Sequence, residues 1–92
     1  MDLYAEMAKR IIENQEKIIG PVALEQAYAV EGLVLDWARK AVSFTGDPRT
    51  IVSNLVNQYK YLFGQISVEV CKEAIAGVSS QIPHDQLPEL LQ

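Results

Sequence analysis

A mostly α-helical, α+β fold is the expectation for this chain: two helical hairpins over about 2–31 and 48–80, with a β-hairpin insert at about 33–45. Three features predict it. Apolar residues recur at three- and four-residue steps through both long segments, the period of an amphipathic helix. Glycines punctuate each segment at matching places, Gly20 and Gly64. Between the segments lies a run rich in β-branched and aromatic residues, Val42-Ser43-Phe44-Thr45, which suits a strand.

The first helix is predicted over 2–19. Tyr4, Met7, Ala8, Ile11, Ile12, Ile18 and Ile19 mark its apolar face, interrupted by Gln15, while Glu6, Lys9, Arg10, Glu13, Glu16 and Lys17 fill the other side. Asp2 is placed to accept from the free amides of the first turn. Gly20 then allows a left-handed turn, and Pro21 suits the first position of a new helix, so the pair is a sharp joint. A short second helix is expected from 21 to 31, ended by Gly32, with Leu33 as an apolar contact behind the cap.

The 33–45 insert has two readings. In a hairpin looped through Ala38-Arg39-Lys40-Ala41, Trp37 falls opposite Val42 and Leu35 opposite Phe44, with Leu33, Leu35 and Trp37 on one face. The rival is an all-α bundle in which 33–45 is helical, favoured by a loop without the Gly, Asn or Asp usual in hairpin turns. A lone hairpin is marginal in water, so it must pack on helices or on another copy.

Gly46-Asp47-Pro48 is a strong helix start, with Asp47 as N-cap and Pro48 in the first turn. Ile51, Val52, Leu55, Val56, Tyr59, Leu62 and Phe63 mark the third helix face; Ile66, Val70, Cys71, Ala74, Ile75 and Val78 are the expected buried side of the next. Pro83 sets a boundary, which gives a single helical domain over 1–82 and, over 83–92, a C-terminal tail or short docking segment.

Setting Gly20 on Gly64, 44 residues apart, places Ile11 on Leu55, Ile12 on Val56, Ala23 on Ser67, Glu25 on Glu69 and Ala27 on Cys71. Identities are few. A duplication and a chance alignment of two apolar faces both fit, and Asn14-Gln15 meets Asn57-Gln58 only after a one-residue slip.

Composition narrows the function classes. The 92 residues suffice for one domain; 49% are hydrophobic, 22% are charged, and the formal net charge is −4. A chain this short buries only about 60–65% of its unfolded surface, so pairing with another copy is a common remedy. Lys9-Arg10 and Arg39-Lys40 are isolated basic pairs, not the cluster that nucleic acid requires. The opening residues do not read as a signal peptide, and no apolar run approaches the ~20 residues of a bilayer span, so a soluble cytoplasmic protein is expected.

The search for reactive groups returns no catalytic, cofactor-binding or metal-binding residue. His84, the single histidine, sits beside Asp85 in a proline-bounded segment and reads as solvated. Cys71, the single cysteine, falls on an apolar stripe and reads as a small core residue. One Cys and one His make no zinc set. Glu25 and Glu69, both following a joint glycine at the same offset, could flank a two-fold site, but first-turn acids favoured by the helix dipole are the simpler reading.

The expected function is therefore a small cytoplasmic, non-enzymatic interaction or regulatory module acting as a homodimer, or binding another protein, with no nucleic acid, membrane or cofactor. The interface candidates are Trp37, Phe44, Tyr28, Tyr61, Leu90 and Leu91. The alternative is a small-molecule sensor with an apolar pocket between the hairpins, where Ala27, Cys71 and Ala74 are small enough to leave room.

Overall fold

The computed structural model describes residues 2–92. Its order is α1 (Leu3–Ile19), α2 (Val22–Tyr28), β1 (Leu33–Asp36), a 3-10 turn (Trp37–Arg39), β2 (Ala41–Phe44), α3 (Pro48–Phe63), α4 (Gln65–Ala74) and α5 (Ala76–Ser79), closed by two 3-10 turns (His84–Gln86 and Glu89–Leu91). The mostly α fold with a small antiparallel hairpin is thus the observed one, and the all-α alternative is not.

Both long helices start where their caps direct. The Asp2 carboxylate accepts from the Tyr4 and Ala5 amides at 3.0 and 3.2 Å. Asp47 accepts from the Thr50 amide at 3.2 Å and its hydroxyl at 2.6 Å, and these bonds hold its carboxyl below the ordinary value. The glycine joints are near copies. Gly20 has φ 74°, ψ −153° and Gly64 has φ 83°, ψ −173°, a region that is essentially glycine-only. Each closes the helix before it, Gly20 N–H on the Glu16 carbonyl and Gly64 N–H on that of Lys60, and each offers its own carbonyl to the third residue of the next segment.

Met7, Ala8, Ile11 and Ile12 of α1 meet Ile51, Val52, Leu55 and Val56 of α3 in one core. Each large aliphatic side chain so enclosed contributes about 1.5–3 kcal/mol. The stripe of α4 differs from the expected one. Ser67, Val68 and Cys71 are its buried residues, Val70 and Ala74 are half-buried, and Ile66 is exposed. The reason is rotation: α4 lays the small Ser67 against α1, which turns Ile66 outward. Ile18 and Leu62, also expected on apolar faces, are exposed for a related reason, since each sits in the turn just before its glycine, where the chain leaves the core.

The hairpin is present, in a different register. Leu33 pairs with Phe44 and Leu35 with Val42, not Leu35 with Phe44. Trp37 is not opposite Val42; it opens the 3-10 turn that joins the strands. Lys40 supplies the left-handed residue the turn needs, at φ 53°, which is why a loop without Gly, Asn or Asp still closes. Its ammonium lies 3.8 Å from the centre of the Trp37 ring, a cation–π contact that holds the lysine there. Leu33 is buried, and Leu35, Val42 and Phe44 pack on the helical core, so the hairpin is supported from within the chain.

The last ten residues fold back on the domain. Leu87, Pro88 and Leu91 are buried, the Tyr4 hydroxyl donates to the Gln86 carbonyl at 2.7 Å, and Arg49 Nε donates to that of Leu87 at 3.0 Å. The segment read as a tail or docking element docks on its own α3 and α4.

Candidate interaction surface

Two buried hydrogen bonds position the surface. Gln15, the polar interruption in α1, donates through Nε2 to the Ser67 carbonyl at 3.2 Å. The Tyr59 hydroxyl of α3 donates to the Ala23 carbonyl at 2.6 Å. Counted from their glycines, Gln15 and Tyr59 occupy the same place, five residues before, and Ala23 and Ser67 the same place, three residues after. Each hairpin thus sends one donor from its first helix to the second helix of the other. The two bonds are reciprocal in sequence position, and each ties the helix after one glycine to the helix before the other.

Around the cross-bonds the interior is closed. Cys71 is fully buried, and Gln15 Nε2 also reaches its Sγ at 3.6 Å. Burial pushes the Cys71 thiol up to about 11, with the Gln15 bond opposing, so it stays protonated and a poor nucleophile at neutral pH. Burial likewise raises the Tyr59 phenol, helped by the nearby Cys71 and Glu16. Ala27 and Cys71, expected to leave room for a ligand, are both fully buried in the core, and Gln15 reaches Cys71. Among the described residues, no buried side-chain polar atom lacks a partner.

A polar cleft of about 140 Å³ lies elsewhere, between the start of α3 and the terminal turn, lined by Arg49, Thr50, Ser53, Asn54, Pro88 and Glu89. Arg49 is committed by its bond to the Leu87 carbonyl, and Thr50 by its bond to Asp47. Glu25 and Glu69 are exposed, and Glu69 makes a local 3.9 Å contact with Lys72. His84 is exposed in its 3-10 turn. No group of three His, Cys, Asp or Glu among the described residues is arranged to hold a metal.

The interface candidates scatter. Tyr28 and Tyr61 are exposed, at 57% and 86%. Trp37 is half-buried, its indole N–H on Glu16 Oε1 at 3.1 Å, and Phe44 is half-buried on the core. Leu91 is buried at 5% within its own chain, so of the terminal leucines only Leu90 keeps exposed surface. Sequence reasoning placed Ile18, Leu62 and Ile66 in the core and passed over Val22; all four are exposed, and all four flank the elbows. The signal was the joint itself: residues on either side of a glycine that turns the chain are the first to leave a helix's buried stripe.

No helix among the described residues is long and apolar enough to cross a membrane. No family model matches the chain, and no curated protein or solved structure matches it.

Proposed function

We propose that this chain is a non-catalytic protein-interaction module that acts by self-association. The observation that carries the reading is a contrast. The interior satisfies its polar groups and encloses its only thiol, while Ile18, Val22, Tyr28, Val34, Tyr61, Leu62 and Ile66 stand exposed. Single exposed apolar residues are ordinary; here seven large ones stand exposed on a chain of 92 residues, four of them within two residues of a joint glycine, and they are the surface a partner would cover. A partner covering them gains hydrophobic free energy without rearranging the core. The charge pattern favours a protein partner, since net charge is −4 and the basic residues are dispersed.

A thermal melt read against concentration tests it. Association of folded chains raises the melting temperature by mass action, so the midpoint climbs by several degrees between about 1 and about 100 µM. A midpoint independent of concentration over that range contradicts self-association.

A further inference from the structure

We propose that α3, α4 and Tyr4 of α1 frame a peptide-binding groove that residues 83–92 fill as a built-in, displaceable ligand. Its partner is an extended segment of another protein with leucine, proline and leucine at the spacing of Leu87, Pro88 and Leu91. This goes beyond self-association and does not depend on it. Residues 83–92 lie on the domain as a bound peptide would. Their backbone amides close only their own turns: Gln86 on the Pro83 carbonyl, Leu87 on that of His84, Leu91 on that of Pro88 and Gln92 on that of Glu89. Among the described residues, no backbone-to-backbone bond ties the segment to a helix or strand. Side chains hold it instead. The Tyr4 hydroxyl and Arg49 Nε donate to two successive main-chain carbonyls, Gln86 and Leu87, at 2.7 and 3.0 Å. Leu87, Pro88 and Leu91 are buried, and the Glu89–Leu91 turn packs on both α3 and α4.

Three observations select the partner. The two side-chain donors read main-chain carbonyls, which every peptide carries, so selectivity falls to the three apolar positions. The backbone is the second. Pro83 at φ −53°, ψ 139°, Leu87 at φ −70°, ψ 148° and Pro88 at φ −52°, ψ 139° are all in the polyproline region. Proline presets that shape, so a proline-bearing segment loses little entropy on binding. The third is the polar cleft of about 140 Å³, which lies at the seam between the segment and its groove. Pro88 and Glu89 line one side, and Arg49, Thr50, Ser53 and Asn54 of α3 line the other. Residues 83–92 leave that space unfilled. A partner whose polar side chain enters it from the place of Glu89 makes contacts that the built-in ligand lacks. Those contacts offset the built-in ligand's advantage of tethering, an effective concentration on the order of millimolar.

The test titrates a fluorescein-labelled peptide with the sequence of residues 83–92 into the intact chain and reads anisotropy. Wild type is compared with Leu87→Ser/Leu91→Ser, which loosens the built-in ligand and leaves the groove intact. The variant is expected to bind the peptide at least roughly 10-fold more tightly than wild type, because its groove is open more of the time. Adding Arg49→Ala to it should weaken binding about 10-fold, and a peptide with both leucines changed to serine should not bind. No binding to the variant, or equal affinity for variant and wild type, overturns the proposal. If the variant does not fold, amide hydrogen exchange on wild type decides. Excess peptide should speed exchange at Leu87 and Leu91 and leave Leu55 in α3 unchanged; unaltered rates at all three overturn the groove. The concentration-dependent melt separates the partners. The variant should show the same rise as wild type, and a rise found in wild type but lost in the variant assigns the groove to a second copy and overturns the separate partner. A wild type without that rise refutes self-association, while the peptide titration alone decides the groove.

Discussion

The two helical hairpins solve one geometric problem with different side chains. Each turns at a glycine in the same unusual backbone region, and each sends one donor across to a carbonyl three residues past the other glycine. The first half uses a primary amide, the second a phenol. Where the second half has Cys71, which Gln15 touches, the first has Ala27, which offers Tyr59 no polar side chain. The second helices differ as well, seven residues in α2 against ten in α4. Backbone geometry is the part held in common; the chemistry filling it is free to vary provided the donor reaches the same carbonyl. Outside the core the halves converge again, in exposed aliphatic residues on both sides of each joint.

The largest expected effect lies on the phenol side. Tyr59 is fully buried, so Tyr59→Ala removes a ring and a donor together and should cost about 3–5 kcal/mol in urea unfolding. A loss below ~1 kcal/mol would mean that α2 and α3 do not depend on this side chain. Alkaline titration comes next and distinguishes the halves, because Ala27 cannot ionise. Cys71 has a folded-state pKa near 11 against an ordinary 9.0, and Tyr59 is raised as well. The native chain keeps protons that the unfolded chain has lost, so stability is whole below about pH 9 and falls as pH rises toward 11, by about 2–3 kcal/mol from the thiol. In Cys71→Ala the decline starting near pH 9 should flatten; an unchanged slope assigns it to other groups.

The joints offer a matched pair. A Cβ at Gly20 or Gly64 meets nothing within 4 Å, so the cost of alanine there is conformational alone. Gly20→Ala and Gly64→Ala should each lose about 1–3 kcal/mol, and by similar amounts. A large disparity would break the equivalence of the elbows. Gln15→Leu and Tyr59→Phe remove the cross-bonds while keeping bulk. Both carbonyls lie in the first turn of a helix and keep a second lone pair for its ladder, so each change should cost about 1–2 kcal/mol, measured the same way. The smallest effect belongs to Asp47. Its pKa is depressed, so the cap's contribution is full above the ordinary value of 3.8 and is lost as pH falls through the folded-state pKa; Asp47→Ala should lower the melting temperature at pH 7 and change it less near pH 2.

Much of this was legible in the chain and some was not, for identifiable reasons. Capping aspartates and joint glycines announced both long helices, because caps and breakers act within four residues. The hairpin's existence was readable from its β-branched run, but its register depended on Lys40 entering a left-handed conformation with its ammonium over the Trp37 ring, a role that turn propensities give to Gly, Asn or Asp. Gln15 looked like a flaw in an apolar stripe, and aligning Asn14-Gln15 on Asn57-Gln58 drew attention to the wrong partner. Gln58 bonds Gln26 at the half-buried flank, whereas the counterpart of Gln15 is Tyr59. Amide and phenol share no letter in the sequence, only a donor at one position. The exposure of Ile18, Leu62 and Ile66 was hidden because periodicity extends a stripe to the end of a helix, while the packing of Ser67 against α1 rotates the next one. The terminal leucines were unreadable for want of context, since Leu91 is buried by α3 and α4 folding under it.

Sedimentation equilibrium of the intact chain, from about 1 to about 100 µM, tests the central claim most directly, that a closed core leaves exposed apolar side chains to a second copy. The account predicts an average mass that starts near 10.3 kDa and rises toward double that value with concentration. A mass fixed at 10.3 kDa throughout would contradict it.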